Sequence, residues 1–349
     1  MELVIQFSLE IYFHFIHFIC RYLLLYLGYF FKDTSFSIYV KKKTKKLIVS
    51  YLLWNIAYGL ILKILNNLKI INYGNEFTLY NIFVAPFMTS SNQFHFNAAA
   101  WFLISIYFVQ MIYFLVNKVN KVMHINTKYI LLIFSTICAI ISLKLVKEGY
   151  NYGIFYLTTR VSFLMPFYCL GQIYKRFEDY DKLNNIAYFI ILIFVQAILI
   201  QKFTDITYNL NLLTFKHDYI IYMFSSITGI MFWIRIATIL EKYIGDNKIV
   251  NYIGNNTYTI MMHHMFIFFL INIAFYHLNN FFGLFGNFSI YQFKRSVWYI
   301  NNNNNPALSI FYCIIAISLP LIIKYFLVDK MLVELKEKLK ESKNNNLCK

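Results

Sequence analysis

The stretch YIGNNTYTIMMHHMF, residues 252–266, joins a turn signal to an apolar helix that carries two adjacent histidines. Asn256 or Thr257 is predicted to cap that helix, with its side chain accepting a bond from a backbone N–H. His263 and His264 follow seven residues later, close to two helical turns, so they share faces with the two polar residues. Ionisable groups in a membrane helix are functional candidates. The alternative is that both histidines are core groups satisfied by neighbouring helices.

The composition is that of a membrane protein. Of the 349 residues, 59% are hydrophobic and 20% are aromatic, whereas an average soluble domain is roughly 45–50% apolar. The net charge of +16 would suggest nucleic acid in a soluble protein. Here it is attributed to lysines on the cytoplasmic side, and no nucleic-acid partner is expected. The scattered cysteines show no metal-ligand spacing, so neither a metal site nor a disulfide framework is predicted.

Nine apolar runs are long enough to cross a bilayer as helices. The predicted spans are 11–31, 47–65, 98–117, 129–146, 155–174, 186–203, 218–240, 256–276 and 307–328. The fold class is therefore all-α, a polytopic bundle of about nine transmembrane helices. Residues 1–330 form one integral membrane domain, and residues 331–349 form a charged amphipathic tail on the cytoplasmic side.

The lysines and arginines set the orientation. With Met1 outside, the inner segments hold 20 of the 32 Lys and Arg residues, and the outer loops hold eight. Because cytoplasmic loops carry the excess of positive charge, we predict an outside N-terminus and a cytoplasmic C-terminus.

Two groups of charged residues stand out before the middle of the chain. His14, His17 and Arg21 share one face of the first span, and the simpler interpretation places them at a helix edge near the outer headgroups. Residues 41–46 hold five lysines. This cluster either anchors the topology or binds a phosphorylated cofactor at the cytoplasmic face.

Arg160 is the charge that most needs an explanation. It lies inside the fifth predicted span, before Pro166 and Gly171. A buried arginine in a membrane helix requires an acidic partner, a carbonyl group or water. It is therefore a candidate site residue.

Four motifs resemble bacterial membrane acyltransferase family 3, whose members O-acetylate surface polysaccharides. IGNNTYTIMMHHMF is similar to its closing motif, with matches at Gly254, Asn256, Thr257, Ile260 and His264, while Met261 stands in place of the usual Tyr. The other three similar segments are LGYFFKDTSFSIYVKKKTKKLIVSYLLWNIAY, AAAWFLISIYF and FLMPFYCLGQIYKR. The motifs occur in the family's order and cover most of the chain from about Leu27 onward.

One departure concerns the start of the chain. The family has ten spans, a cytoplasmic N-terminus, and a first helix whose Arg and later His form the catalytic pair. No such pair precedes Gly28, so we expect that the first helix is missing and that activity is lost with it. His14 and His17 do not align with the missing His and could replace it only in a rearranged site.

The resemblance implies transfer of an acetyl group from acetyl-CoA to a hydroxyl of a lipid-linked or polymeric sugar in the bacterial cytoplasmic membrane. Acetyl-CoA would be a co-substrate, with no permanently bound cofactor, and membrane lipids would surround the helices. The phosphates of CoA would be held by Lys42, Lys43, Lys45 and Lys46. His264 and Arg160 would line an intramembrane cavity as the catalytic candidates.

Two other functions fit the same sequence. A transporter or flippase of polysaccharide precursors also needs many helices and intramembrane charges, although inverted repeats typical of transporters are not evident. An inactive remnant of the enzyme is the third interpretation, because of the expected loss of the first helix.

Overall fold

The computed structural model describes residues 21, 23–90, 94–122, 126–177, 183–203, 206, 208–283, 288–301 and 306–330. Within this part of the chain the protein is all-α and contains no β-strand. His14, His17 and the tail 331–349 lie outside the described residues.

The described residues form twelve helices after a helical segment at 23–29. They are α1 (Phe36–Asn67), α2 (Leu79–Phe83), α3 (Ala85–Met88), α4 (Trp101–Val122), α5 (Thr127–Lys147), α6 (Ile154–Phe177), α7 (Asn185–Lys202), α8 (Tyr219–Ile244), α9 (Lys248–Asn255), α10 (Thr257–Phe282), α11 (Ile290–Arg295) and α12 (Pro306–Lys324).

Eight of these helices are long and apolar enough to cross a membrane, which identifies a multi-pass membrane protein. They confirm eight of the nine predicted spans, and most of the remaining span, 11–31, lies outside the described residues. The main difference is at α1, which begins at Phe36 rather than at residue 47. Lysine is a good helix former, so the basic segment continues the helix instead of forming a loop.

Two π-helical turns interrupt the regular helices. Thr44–Val49 lies within α1, and Tyr325–Asp329 extends α12. Such turns occur often at functional sites. The first coincides with part of the lysine cluster.

The chain divides into two compact units. The first comprises Met1–Leu53, Thr78–Ser91 and Trp101–Ile244, and the second comprises Trp54–Phe77, Asn92–Ala100 and Gly245–Lys349. In the first unit, α6 packs on α5, α4 and the 23–29 helix. The approach of α6 to that helix depends on glycine, because a Cβ on Gly171 would overlap the carbonyl of Leu25.

In the second unit, α10 packs along α12. Asn272 of α10 accepts a 2.5 Å hydrogen bond from Tyr312 of α12 and donates one of 2.8 Å to the carbonyl of Tyr299. Phe269, also on α10, stacks on Phe293 of α11. The hydrogen bond between Asn272 and Tyr312 therefore fixes the register of α10 against α12.

The predicted capping of α10 is wrong. Asn256 occupies the N-cap position but makes no side-chain cap bond. Its amide donates to the carbonyl of Tyr252 over 2.8 Å, and Thr257 donates to the carbonyl of Gly254 over 2.8 Å. The reason is that α9 ends directly before α10, so these side chains satisfy the open carbonyls at the end of α9.

Candidate functional site

His263 is fixed by aromatic side chains from the second half of α1. Its Nδ1 lies 2.5 Å from the hydroxyl of Tyr58, which is buried. The ring of Trp54 meets the imidazole edge-on, with centroids 4.3 Å apart. These contacts all lie within the second unit. They hold the imidazole in one orientation and satisfy the first of its two nitrogens.

His264 has a different environment. Its Nδ1 lies 3.0 Å from the carbonyl oxygen of Met261 and 3.2 Å from that of Ile260. A carbonyl oxygen can only accept, so Nδ1 must carry the hydrogen in the neutral ring. Nε2 then keeps its lone pair and can accept a proton. The backbone thus selects the tautomer that a general base needs.

A polar network surrounds the start of α10. The ammonium of Lys324 donates to the side-chain oxygen of Asn256 and lies 3.9 Å from Asp329. The hydroxyl of Tyr252 donates to Asp329 over 2.8 Å. Burial raises the pKa of Tyr252 to about 12, and the Asp329 carboxylate adds to the rise, so the phenol keeps its proton. The network ties α9 and the start of α10 to the π-helical end of α12.

Arg160 is buried in the first unit. Of the three kinds of partner expected for it, an acidic group, a carbonyl group or water, the structure shows carbonyl groups. Its Nε donates to Leu210 O over 3.3 Å, and one terminal nitrogen donates to the backbone and side-chain oxygens of Asn211 over 2.5 and 2.8 Å. The other terminal nitrogen donates to Thr89 O over 3.4 Å. The guanidinium also lies over the ring of Trp101 at 5.2 Å. It therefore fastens the segment after α7 to the ends of α3, α4 and α6.

Arg21 is buried as well, which contradicts its predicted place at a helix edge near the headgroups. It is 3% exposed, donates to the hydroxyl of Ser226 and lies 4.4 Å from the ring centre of Tyr208. On burial the guanidinium replaces its contacts with water by contacts with a hydroxyl and an aromatic face. An arginine is better suited to this than a lysine, because its guanidinium is more weakly hydrated and stacks on aromatic rings.

The predicted phosphate-binding lysines lie on α1 around its π-helical turn. Lys42, Lys45 and Lys46 are exposed, whereas Lys43 is half-buried with its ammonium 5.5 Å from the ring centre of Tyr39. The turn itself is held by Thr44, whose hydroxyl lies 3.0 Å from that of Tyr107. Three of the four lysines are thus free to meet an anion from solvent.

The candidate residues are distributed over both units. The lysines and Arg160 belong to the first unit, and His264 belongs to the second. Sequence reasoning missed Tyr58 and Lys324 as organising side chains and misplaced Arg21. Tyr58 carries no signal in an aromatic-rich run, but Lys324 is a charge within an apolar span, and that signal could have identified it.

A family model described as an acyltransferase domain matches residues 3–325. No curated protein and no solved structure matches the chain. The matched region includes the glycine-asparagine-threonine start of α10, both of its histidines, and the basic part of α1. Since the match extends over most of its length, the chain belongs to acyltransferase family 3.

Proposed function

We propose that this protein is a membrane O-acyltransferase that moves an acetyl group from acetyl-CoA to a hydroxyl of a surface polysaccharide or a lipid-linked sugar. The observation that carries the proposal is the family match over residues 3–325. The tautomer of His264 supports it, because transfer to a hydroxyl requires a group that removes the hydroxyl proton.

His264 is the proposed general base. Its Nε2 takes the proton of the sugar hydroxyl while that oxygen attacks the carbonyl carbon of the thioester. The carbon–sulfur bond then breaks, and the CoA thiolate leaves and takes the proton from the imidazolium. The hydrogen on Nδ1 stays on the carbonyls of Met261 and Ile260. The ring therefore does not need to turn between the two proton transfers.

The lysines of α1 are proposed to hold the phosphates of CoA. Lys42, Lys45 and Lys46 offer exposed ammonium groups, and Lys43 adds a fourth charge beside them. Each lysine provides a point charge rather than the paired bonds of an arginine. Arg160 stays in the proposed site as a cation whose bonds to Leu210 and Asn211 position the segment around it.

The test is acetylation of surface polysaccharide in a strain that lacks its own enzyme. His264→Gln should lower the rate by about 10²–10⁴-fold, the usual loss for a positioned base. His277→Gln is the matched control, since His277 is an exposed histidine on the same helix. The comparison is made in the form of the chain that acetylates, with or without an added first helix, and equal rates for His264→Gln and its unaltered parent at equal expression would contradict the role of His264.

The assay is run on residues 1–349 and, in parallel, on the same chain fused behind a first helix that bears Arg and His. This comparison tests the prediction that such a helix is needed. Replacing Lys42, Lys43, Lys45 and Lys46 by Gln should raise the apparent KM for acetyl-CoA, and the difference should shrink at high salt because screening weakens the charges. An unchanged KM would indicate that the lysine cluster only fixes the orientation of the chain in the membrane. Movement of unmodified sugar without acetylation would favour the transporter.

A further inference from the structure

His263 is the neighbour of the proposed base, but its hydrogen bond gives it the opposite tautomer. Its Nδ1 lies 2.5 Å from the hydroxyl of Tyr58, a side chain that is only 2% exposed. Within the described residues that hydroxyl has no other acceptor. A buried hydroxyl hydrogen needs an acceptor, so Tyr58 donates to Nδ1. The hydrogen of the neutral ring therefore lies on Nε2, and His263 is a donor there.

Two N–H donors of this cluster can be reached from outside the protein. The imidazole of His263 and the indole of Trp54 are neighbours, with ring centroids 4.3 Å apart. In the part of the chain that the structure describes, neither Nε2 of His263 nor Nε1 of Trp54 makes a hydrogen bond. Both side chains are partly exposed, and neither nitrogen is enclosed by protein. Both N–H groups are therefore available to an acceptor that the chain itself does not supply.

The depth of Trp54 in the membrane argues for a polar molecule as that acceptor. Trp54 lies seven residues beyond Leu47, where the predicted span 47–65 begins, which is about 10 Å along the helix. A tryptophan that anchors a helix lies at the membrane surface, so Trp54 is too deep for that role. An N–H group that faces hydrocarbon without an acceptor is strongly unfavourable. Two such groups side by side indicate a ligand that brings oxygen atoms to them.

The surrounding rings favour a sugar over a charged ligand. Phe96 and Phe266 pack on Tyr58, with centroid distances of 5.9 and 5.5 Å, and all three side chains are uncharged. A phosphate or a carboxylate is bound most strongly by cations, whereas the donors of this cluster are neutral. A sugar carries hydroxyl oxygens that accept from N–H groups, and its C–H faces pack on the electron-rich faces of aromatic rings.

We propose that Trp54 and His263 form the subsite that binds the acceptor sugar, with Nε1 and Nε2 donating to sugar oxygens. Tyr58 is a positioning residue that keeps the imidazole hydrogen on Nε2. The subsite rests on the proposed acyl transfer and divides the work of the two histidines: His264 removes the proton, and His263 holds the sugar. Consecutive side chains of a helix diverge by about 100°, so the two imidazoles contact different parts of the sugar.

The first experiment measures binding without catalysis. The Tm of the purified full chain in neutral detergent is followed during titration with oligosaccharides released from the unacetylated polysaccharide of the assay strain. Trp54→Phe keeps an aromatic ring but removes the N–H, and it should weaken the apparent affinity about two- to tenfold, the range for one neutral hydrogen bond. Trp298→Phe is the matched control, because Trp298 is exposed in the same unit. His263→Phe replaces Trp54→Phe if that variant does not fold.

Two results of this titration would overturn the proposal. One is a Tm of the unaltered chain that does not respond to the oligosaccharides. The other is an equal affinity for Trp54→Phe, or for His263→Phe in its place, and for Trp298→Phe.

The second experiment measures kinetics with the same oligosaccharides as acceptor. His263→Phe should raise the KM for the acceptor and leave the KM for acetyl-CoA unchanged, and His263→Gln should recover part of the loss because its amide also donates. Tyr58→Phe should raise the same KM by a smaller factor, since the imidazole can then place its hydrogen on either nitrogen. His277→Phe, at an exposed histidine of α10, is the control.

The kinetic outcomes distinguish this subsite from the proposed function. A fall in kcat for His263→Phe at an unchanged KM for the acceptor would overturn the subsite, because the donor would then act in the transition state alone. If neither form of the chain acetylates, the acyltransferase function fails, and the Tm titration still decides whether Trp54 and His263 bind the sugar.

Discussion

Tyr58 and Tyr51 on α1 allow a comparison between a buried hydroxyl that makes a hydrogen bond and one that does not. Both side chains are fully buried. The hydroxyl of Tyr58 meets Nδ1 of His263 at 2.5 Å, whereas that of Tyr51 has no hydrogen-bond partner among the described residues. Tyr58→Phe should lower the free energy of unfolding by about 1–3 kcal/mol, because the imidazole nitrogen is left unsatisfied. Tyr51→Phe should be neutral or stabilising. Chemical denaturation of the two variants measures the difference, and equal losses would contradict it.

His95 should make the protein sensitive to mild acid. It lies outside the spanning segments, stacks on Tyr73, and has a buried Nδ1 without a partner among the described residues. Burial lowers its pKa below the ordinary 6.5. Below pH about 6.5, His95 therefore binds a proton in the unfolded chain but stays neutral in the folded chain. The free energy of unfolding falls as the pH falls.

The variant His95→Asn tests this titration without straining the backbone. His95 has a φ of +54°, and asparagine tolerates that conformation better than most residues. Part of the drop in Tm between about pH 7 and pH 5 should disappear in this variant. Identical pH profiles for His95→Asn and the unaltered chain would show that His95 is not responsible.

At the scale of helices, Arg160 is expected to hold the segment 208–214 in place. Arg160→Lys loses most of the bonds to Leu210 and Asn211, because lysine has no planar fork of donors. Hydrogen exchange of the amides in 208–214 should accelerate, by an amount that corresponds to about 2–3 kcal/mol. Arg235→Lys is the control, since Arg235 donates to the exposed Asn185 and lies over the ring of Tyr188. Unchanged exchange together with lost acetylation would instead indicate that Arg160 acts on the substrate.

The contact between α6 and the 23–29 helix should be intolerant of any side chain at Gly171. A methyl group there would overlap the backbone of Leu25 and Tyr29, which cannot move away as a flexible side chain could. Gly171→Ala should therefore reduce the folded yield and the Tm sharply. Gly254→Ala is the control because a Cβ at Gly254 meets nothing within 4 Å, and alanine is the better helix former. If both variants have the same Tm, the two helices are not in close contact.

The approximate positions of the eight membrane-crossing helices follow from the sequence, since each apolar run is long enough to span and has to satisfy its own backbone bonds. The start of α1 at Phe36 and the short helices between the spans do not. The cap of α10 could not be predicted in the same way. Whether Asn256 caps α10 or bonds to Tyr252 depends on the end of α9 and on Lys324, and periodicity does not report either. A charge inside an apolar span was a useful guide. The sequence predicted that Arg160 requires hydrogen-bond partners, and carbonyl groups provide them. Arg21 was misplaced because composition cannot distinguish a headgroup from Ser226 and the ring of Tyr208.

Site chemistry was predictable only in part. His264 was identified by its type and position, but the sequence could not reveal that the carbonyls of Ile260 and Met261 select its tautomer. The lysine cluster was equally visible, yet its separation into three exposed residues and a half-buried Lys43 depends on Tyr39. The loss of a first helix and the roles of His14 and His17 stay predictions.

For the whole molecule, the distribution of positive charge predicts one orientation. The inner segments hold 20 Lys and Arg residues against eight in the outer loops, and this excess is typical of cytoplasmic loops. A reporter fused after Lys349 should therefore read cytoplasmic, and one inserted after Asn97 should read external. Replacing the five lysines of residues 41–46 by Gln should produce a mixed population, because it removes a quarter of the inner charge. The reverse pattern in the unaltered chain would invalidate the orientation and also the cytoplasmic position of the lysines proposed to bind CoA.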